Sequence, residues 1–451
     1  MSEIIVAGAG CGGLVASMKL AKEGHSVTVF EKGSENKMGY EQKDAVDASY
    51  FEYADIPVPE NFRAPRNRIT FVPLDSGVSP VTLPDSDDGG GLIVDRKELY
   101  SYLSEQAKRN GVVFRYEEEI ISPIILGSRV AGIKTKSGEY YADLVIDSCG
   151  VNSPLRKNLP KHTFIQNELT RFDTLNTYRA YFEWNKEAPQ PQTDYNIYLK
   201  YDGTTGFSWL VNDGECVDVL IARFPELDNT VILEELRNLN ENNPHMGKNI
   251  VKGGEISVIP VRQPLAVFVC DGYAAVGDSA CMTFAAKGSG IGYSLKAGTI
   301  LAQTVIEDED CLYNCETLWN YERRFFKEIG NDACKIALAK NLLPYVTAQE
   351  VSDLMKAGIL TTEEMQQLCE NTVSALLSPK AIPFIKDKVK LLIDFPELRN
   401  KILNVAVWFG KWALTEPQLP QKYDRTAVAK WAERYNEFFE SIKYSGEVML
   451  K

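Results

Sequence analysis

The start of the chain alternates between short β-branched runs and a segment with helical spacing. Residues 3–7 (EIIVA) and 26–30 (SVTVF) have the length and composition of buried strands. Between them Leu14, Met18 and Ala21 recur at helical spacing, which places them on one face of a helix. The pattern predicts that the chain opens with a strand, a helix and a second strand.

The next part of the chain is less regular before it returns to clear periodicity. Residues 33–91 are rich in Asp, Pro, Gly and Tyr and show poor periodicity, which predicts extended loops or short strands. Residues 95–110 have the spacing of a helix, and strands are predicted near residues 112–116, 129–135 and 144–147. This stretch therefore continues the α/β pattern of the opening.

Downstream, the periodicity changes twice. Residues 171–264 form a succession of short β-rich segments, and residues 264–306 return to strand, Gly-rich turn and helix. After residue 310 nearly all of the chain has helical spacing. We predict a first domain made of residues 1–170 and 265–310, a β-rich domain of residues 171–264, and a helical region of residues 311–451.

Composition and charge indicate which kinds of binding partner are disfavoured. A chain of 451 residues with 44% hydrophobic and 25% charged residues is typical of a globular protein with two or three domains. The 62 Asp and Glu residues outnumber the 49 Lys and Arg residues, and the formal net charge is −13. Because this charge disfavours broad contact with phosphate backbones, we expect no nucleic-acid partner.

The cysteines and the apolar segments bear on location. Nine cysteines, an odd number in a long chain, favour a reducing compartment, so we expect a cytoplasmic protein. The apolar segment 402–414 is shorter than the roughly 20 residues of a membrane span and includes Asn404 and Lys411. We therefore expect no transmembrane segment. An apolar stripe runs through this segment, and it has two possible roles, core packing or peripheral membrane contact. It comprises Leu398, Ile402, Val405, Phe409 and Trp412.

A glycine-rich turn joins the first strand to the first helix and predicts a dinucleotide site. It reads Gly8-Ala9-Gly10-Cys11-Gly12-Gly13, and Glu31 closes the second strand about 20 residues later. In such a motif the first glycine permits a tight turn, the second lets the backbone approach a pyrophosphate, and the last lets helix and strand pack closely. The helix N-terminus attracts phosphate, and Glu31 can accept hydrogen bonds from a ribose. The motif alone leaves FAD and NAD open.

A second segment favours a flavin. Residues 273–280 lead into Lys287-Gly288-Ser289-Gly290-Ile291-Gly292 and then an apolar helix. Asp278, which follows a predicted buried strand, can hold a ribityl hydroxyl. A Gly-rich helix start beside it can stabilise negative charge on the reduced flavin ring.

With these residues the chain resembles the FAD-dependent oxidoreductases of the p-hydroxybenzoate hydroxylase class, and within it the geranylgeranyl-reductase-like branch. The resemblance covers roughly residues 3–31, 92–156 and 265–306. It implies an α/β fold with a discontinuous Rossmann-type FAD-binding domain, a β-rich substrate domain and a helical C-terminal region. It also implies that Arg96, at a helix start, reaches FAD and that Ile120 lies near the adenine.

The motifs and the resemblance together define a predicted set of cofactor contacts. The set is Gly8, Ala9, Gly10, Cys11, Gly12, Gly13, Glu31, Lys32, Arg96, Ile120, Gly277, Asp278, Gly288, Gly290, Ile291 and Gly292. Cys149 stands where the family usually has the acid of an Asp-Gly pair associated with FAD and NAD(P)H contacts. The electron donor therefore stays open between NAD(P)H and an external donor, such as an electron-donor protein.

The resemblance also points to a substrate wall. In the reductase branch an aromatic and tryptophan segment lines the substrate cavity, and here Phe207 and Trp209 occupy it. The proline that follows in the family is absent, and Leu220-Ile221-Ala222 stands at its glycine pair. We therefore expect a largely hydrophobic small-molecule substrate without specifying a prenyl lipid.

Candidates for a catalytic proton donor come from the predicted flavin segment. Tyr293, Lys287 and Cys281 lie on it, and each has an alternative interpretation as a core tyrosine, an exposed lysine or a packed cysteine. Cys311 and Cys315 lack a neighbouring cluster of ligands in sequence, so we predict no metal site.

Three functions follow in order of preference. The first is reduction of a C=C bond by hydride transfer through flavin N5. The second is a flavin-dependent monooxygenase acting on an aromatic or apolar substrate. The third is a flavin-binding carrier or sensor that does not turn over its ligand.

Overall fold

A computed structural model of the protein describes residues 1–62, 68–83, 91–189, 191, 193–200, 205–212, 214–224, 227–286, 288–369 and 390–447. The strands are β1 (Glu3–Ala7), β2 (Ser26–Glu31), β3 (Lys43–Asp47), β4 (Ile69–Val72), β5 (Val81–Thr82), β6 (Gly91–Asp95), β7 (Val113–Tyr116), β8 (Ile120–Leu126), β9 (Arg129–Thr135), β10 (Glu139–Tyr141), β11 (Leu144–Asp147), β12 (Thr174–Trp184), β13 (Tyr195–Leu199), β14 (Gly206–Asn212), β15 (Cys216–Arg223), β16 (Met246–Pro260), β17 (Val269–Cys270) and β18 (Tyr273–Ala275). The helices are α1 (Cys11–Lys22), α2 (Ser49–Tyr53), α3 (Arg96–Arg109), α4 (Pro154–Lys157), α5 (Asn229–Asn242), α6 (Ile291–Ile306), α7 (Cys315–Phe325), α8 (Asn331–Lys340), α9 (Ala348–Lys356), α10 (Thr362–Cys369), α11 (Pro396–Thr415) and α12 (Arg425–Glu447).

A six-stranded sheet forms the half of the molecule that carries the two predicted cofactor segments, called the cofactor half below. Its strand order is β17-β18-β11-β1-β2-β7, and every pair from β18 to β7 is parallel. The central strands are buried on both faces, as is typical of a parallel sheet covered by helices. Helices α1 and α6 cross closely on one face, where a Cβ on Gly298 would lie 2.2 Å from the carbonyl oxygen of Gly12. The carboxyl ends of β1, β11 and β18 therefore meet at one edge.

A seven-stranded sheet faces this half. Its order is β16-β12-β15-β14-β13-β4-β5, so strands from residues 69–82 join strands from residues 174–260. Alternate side chains on its strands point to opposite faces. One face packs against α5 through a buried apolar cluster that includes Phe182, Val219 and Leu239. The other face carries Leu175, Leu220, Ala222 and several aromatic and charged side chains.

Residues 33–91, which showed poor periodicity, contain short strands as expected. Strand β3 pairs antiparallel with β6 in a two-stranded sheet, with Asp44 opposite Val94. Strand β6 runs directly into α3, whose N-terminus is capped by the Asp95 side chain. This pairing fixes residues 43–47 beside the start of α3.

The C-terminal helices pack onto the cofactor half through aromatic rings. The indole nitrogen of Trp431 donates to the carbonyl oxygen of Ala266 at 3.0 Å, and the Tyr435 hydroxyl donates to that of Pro264 at 2.7 Å. In α11, only Leu398 and Trp412 of the predicted apolar stripe are buried. Among the described residues, no helix combines the length and the apolarity needed to cross a bilayer.

Candidate cofactor and substrate site

The glycine turn after β1 lies against the loop after β11. A Cβ on Gly8 would lie 2.6 Å from the Ser148 carbonyl oxygen, and a Cβ on Gly10 would lie 2.5 Å from Ser148 Oγ. Gly8 also has a φ of +84°, which is strained for other residues. Neither position tolerates a side chain, so the backbone forms the floor of this cradle.

The N-terminus of α1 opens into the cradle. No side chain caps the helix at Gly10, so the N–H groups of Cys11 and Gly12 keep donor capacity for a ligand. The N–H of Gly13 donates to Ser148 Oγ at 3.3 Å. Gly13 also packs on β1, since a Cβ there would lie 2.8 Å from Val6 Cγ1. Ser148, which the sequence analysis did not single out, thus supports both glycines.

Glu31 ties the glycine turn to the end of β2. Its Oε2 accepts the N–H of Ala9 at 3.0 Å, and its Oε1 accepts the N–H of Gly33 at 2.8 Å. The next residue, Lys32, is exposed. The carbonyl oxygen of Glu31 accepts the N–H of Glu118, two residues before Ile120. The predicted ribose and adenine contacts therefore lie side by side.

The second glycine segment surrounds Asp278. Thr283 Oγ1 donates to Asp278 Oδ1 at 3.1 Å, and a Cβ on Gly290 would lie 3.1 Å from the same oxygen. Burial raises the pKa of Asp278, against the opposing effects of Thr283 and Arg96. No side chain caps α6 at Gly290, so the N–H groups of its first turn face this segment uncapped.

The remaining glycines of this segment have distinct surroundings. Gly277 has a φ of +68°. A Cβ on Gly292 would lie 2.4 Å from the Tyr50 ring, so this glycine serves helix packing. Ile291, the first residue of α6, is buried.

The charge of Arg96 acts on residues of both glycine segments. Burial raises the pKa of the Cys11 thiol to about 11, partly offset by a hydrogen bond to Tyr100 and by the charge of Arg96, while the charge of Asp278 adds to the rise. Cys11 and Tyr100 thus share the electrostatic environment of Arg96 and Asp278. The structure brings together residues 11, 96 and 278, which are far apart in sequence.

Asp147 organises the loops beneath the cradle. Its carboxylate accepts hydrogen bonds from Tyr273 at 2.7 Å and Ser279 at 2.9 Å, and also from Ser153. It further accepts the N–H of Cys149 at 3.0 Å. Burial and the nearby Asp147 charge raise the pKa of the Cys149 thiol well above its usual value. Cys149 is therefore held as a neutral thiol.

Two of the three proton-donor candidates are packed side chains. Tyr293 packs edge-on against Tyr50 and Phe284, each ring centroid 6.2 Å away, and burial raises its pKa. Cys281 is fully buried, and burial raises its pKa as well. Lys287 lies outside the described residues. Among the described residues, no group of three His, Cys, Asp or Glu side chains is arranged to hold a metal ion.

The predicted substrate wall lies on the face of the seven-stranded sheet opposite α5. The rings of Phe207 and Trp209 lie 5.9 Å apart, next to an apolar cluster that includes Leu220 and Ile259. The guanidinium of Arg179 lies 5.3 Å from the Trp209 ring. A Cβ on Gly288 would lie 3.5 Å from Ile259. The wall therefore lies beside the second glycine segment.

A charged chain beside this wall was not predicted from the sequence. Arg96 donates to Asp44, Asp44 pairs with Arg179 at 3.3 Å, and Arg179 pairs with Asp218 at 2.5 Å. Asp44 lies in the stretch of poor periodicity, and no motif marks it, Arg179 or Asp218. Only the pairing of β3 with β6 and of β12 with β15 brings these residues together.

The residues present fit FAD. One cradle has a floor of glycine backbone and an uncapped helix N-terminus, which suits a pyrophosphate. The other has the uncapped start of α6 beside Asp278, next to the apolar wall at Phe207 and Trp209. The fold and the site define an FAD-dependent oxidoreductase.

Comparison with known proteins agrees with a nucleotide-binding site at the start of the chain and with similarity to reductases. The family model for NAD(P)-binding Rossmann-like domains matches residues 6–36. The chain is 26% identical over 325 residues to a digeranylgeranylglycerophospholipid reductase of Methanosphaerula palustris, covering 68% of this chain and 76% of that protein. The chain thus has geranylgeranyl-reductase-like relatives, and the resemblance predicted from the sequence is confirmed.

Solved structures share the fold. A geranylgeranyl bacteriochlorophyll reductase-like protein from Thermoplasma acidophilum superimposes with a TM-score of 0.70 at 18% identity, over 90% of this chain and 99% of that one. The myxobacterial chondrochloren halogenase CndH, an FAD-dependent halogenase, gives 0.57 at 19% identity, over 76% and 83%. The predicted α/β fold with a Rossmann-type cofactor domain and C-terminal helices is confirmed.

Proposed function

We propose that the protein reduces a C=C bond of a largely apolar small molecule. The observation that carries this proposal is that Gly288, in the predicted flavin segment, lies beside Ile259, in the apolar wall, so that a Cβ on Gly288 would be 3.5 Å from the Ile259 side chain. A substrate lying on that wall would be adjacent to the cofactor ring. When bound and reduced by an external electron donor, the flavin would supply a hydride equivalent to a suitably placed carbon.

The chain's own residues would bind and orient both molecules. Gly8, Gly10 and the uncapped start of α1 would receive the pyrophosphate, and Glu31 the adenosine ribose. Asp278 would hold the ribityl chain, and the uncapped N–H groups at the start of α6 would stabilise negative charge on the ring. Phe207 and Trp209 would exclude water and hold the substrate by apolar contact.

The wall also limits the class of substrate. Phe207 and Trp209 offer apolar surface above the buried Leu220 and Ala222, and Arg179 is already paired with two carboxylates. An extended hydrocarbon bearing isolated double bonds suits this surface. The reductases in the comparison are named for a phospholipid with geranylgeranyl chains, which makes such a lipid the first probe.

The proton for the second carbon of the double bond needs a donor other than Tyr293 or Cys281. Tyr293 and Cys281 are buried, with raised pKa values, so neither is poised to exchange a proton near neutral pH. We propose that they support the site by packing. Lys287 keeps its place as a candidate from the sequence.

The electron donor is part of the proposal. The Cys149 thiol donates a hydrogen bond to the carbonyl oxygen of Ala7 at 3.3 Å. In the family that the chain resembles, an acid associated with nicotinamide contacts usually occupies this position. We propose an external donor, such as an electron-donor protein, and a cytoplasmic location in line with the cysteine content.

The experiment is anaerobic turnover with dithionite as the reductant. Digeranylgeranylglycerophospholipid is supplied in detergent, and the product is analysed by mass spectrometry. We expect a gain of two hydrogens per reduced double bond without O₂. A product formed only in air, carrying an added oxygen, would contradict reduction and favour the monooxygenase. Reduction of the bound flavin with no lipid product would favour the carrier or sensor.

A further inference from the structure

Four charged side chains form a continuous chain from the start of α3 to the seven-stranded sheet. Arg96 Nε donates to Asp44 Oδ2, and Asp44 Oδ1 accepts from Arg179 at 3.3 Å. Arg179 donates to both carboxylate oxygens of Asp218, at 2.8 and 2.5 Å. Two arginines alternate with two aspartates, so the formal charges cancel.

The backbone around Asp44 is held from two sides. The N–H of Arg96 donates to the carbonyl oxygen of Gln42 at 2.9 Å. On the other side Arg179 donates to the carbonyl oxygen of Lys43 at 2.5 Å, and the N–H of Lys43 donates to the Tyr181 hydroxyl at 2.8 Å. The Asp44 carboxylate therefore has little freedom to turn away from Arg96.

The Arg96 side chain is only partly used by these contacts. Its bond to Asp44 involves Nε, and no hydrogen bond from its two terminal nitrogens to a described residue is present. An arginine presents five donors in a planar fork, so fixing Nε also fixes the direction of the terminal nitrogens. The side chain is 21% exposed, and its charge lowers the pKa of both Cys11, in the first glycine segment, and Asp278, beside the second.

We propose that Asp44 is a positioning residue for the cofactor. It orients the free guanidinium nitrogens of Arg96 toward FAD and, through Arg179 and Asp218, couples the cofactor site to the substrate-facing sheet. The inference rests on the proposed contact between Arg96 and FAD. An arginine without this partner would have to lose rotamer freedom on binding, which weakens affinity.

The test compares Asp44→Asn with a matched neighbour. Glu41 pairs with Lys97 at 2.5 Å, next to Arg96 in sequence, but both side chains are over 40% exposed. FAD is titrated into each apoprotein by flavin fluorescence, and the midpoint potential of the bound flavin is measured. We expect Asp44→Asn to weaken FAD binding about tenfold, equivalent to about 1.4 kcal/mol. The potential should become more positive because one negative charge is lost.

The control should behave differently. Glu41→Gln removes a carboxylate of the same charge from an exposed pair and should change neither the affinity nor the potential. A folded Asp44→Asn protein with wild-type affinity and potential would overturn the proposal. An equal effect in Glu41→Gln would also overturn it, since a general charge effect would then suffice.

Two further variants keep the test decisive. If Asp44→Asn does not fold, Asp44→Glu keeps the charge but displaces the carboxylate by one methylene, and it should still weaken FAD binding. Unchanged binding in Arg96→Gln would remove the premise and overturn the proposal with it. No lipid is used in these titrations, so a failure of double-bond reduction in the anaerobic assay leaves their outcome standing.

Discussion

The two faces of the seven-stranded sheet each bury an arginine paired with a carboxylate, but the two pairs end differently. On the α5 face, Arg223 pairs with Glu235, which also accepts a bond from Ser208. On the opposite face, Arg179 pairs with Asp218 and continues through Asp44. The first cluster joins the sheet to α5, whereas the second leads to the predicted cofactor site.

The same kind of buried ion pair thus stabilises the fold on one face, and on the other face we propose that it also serves the cofactor. Removing one partner of a buried pair is costly wherever it lies, because the other charge is left unpaired. A loss of stability on either face therefore does not by itself indicate a role in cofactor binding. Cofactor or substrate binding, in contrast, should change in variants on the Arg179 face and stay unchanged in variants on the α5 face.

The largest effect on stability is expected on the α5 face. Glu235→Gln leaves the Arg223 guanidinium buried without its carboxylate and should lower the free energy of unfolding by about 3 to 5 kcal/mol. FAD affinity at a temperature where the variant is folded should be unchanged. Urea unfolding and FAD titration measure the two quantities. The adjacent exposed Glu234→Gln is the control and should affect neither.

A smaller loss of stability is expected on the cofactor face. Asp218→Asn leaves Arg179 with Asp44 as a partner, so the free energy of unfolding should fall by about 1.5 to 3 kcal/mol. Unlike Glu235→Gln, this variant should also weaken FAD binding, measured by fluorescence titration. Equal FAD affinities for the two variants would mean that the second ion chain does not reach the cofactor.

Substrate binding distinguishes the faces in a third way. Trp209→Leu should raise KM for the apolar substrate about tenfold, since it removes roughly 1.4 kcal/mol of apolar contact. The matched control is Trp184→Leu, in the same sheet but packed against His245 at 6.2 Å near the end of α5. Steady-state kinetics under anaerobic conditions provide the test. Similar KM values for both variants would argue against a substrate wall at Trp209.

The smallest effect concerns a buried cation, Lys200, directly after strand β13. Burial lowers the pKa of Lys200 to about 8, although nearby Glu350 opposes the shift, and that carboxylate is already bonded to Lys401 at 2.7 Å. Between pH 8 and the ordinary lysine pKa the unfolded chain holds the proton that the folded chain has lost, so stability should rise with pH. Lys200→Met should flatten this rise in a series of thermal unfolding measurements. A rise of the same slope in the variant would assign it to another group.

Local signals allowed the cofactor half to be predicted closely. Residues 3–7 were predicted as a strand and form β1, and the helix predicted over residues 95–110 spans Arg96–Arg109. Strand composition, helical spacing and glycine turns act over short distances, so the sequence displays them directly. The glycine segments at residues 8–13 and 288–292 belong to this class.

The ion chain could not be predicted in the same way. Asp44 and Arg179 are 135 residues apart, and Arg179 and Asp218 are 39 apart. Their contact depends on strand register, which places Arg179 opposite Leu220 and Asp44 opposite Val94. Register emerges from the packing of the whole sheet. A charged residue in an irregular stretch gives no local sign of such a partner.

The most direct test of the central claim follows the colour of the bound flavin. The purified protein, loaded with FAD, is bleached with one equivalent of dithionite under anaerobic conditions and then mixed with digeranylgeranylglycerophospholipid. We predict that the oxidised flavin spectrum returns as the lipid gains hydrogen. A protein that stays bleached with this lipid and regains its colour only when air is admitted would contradict the account.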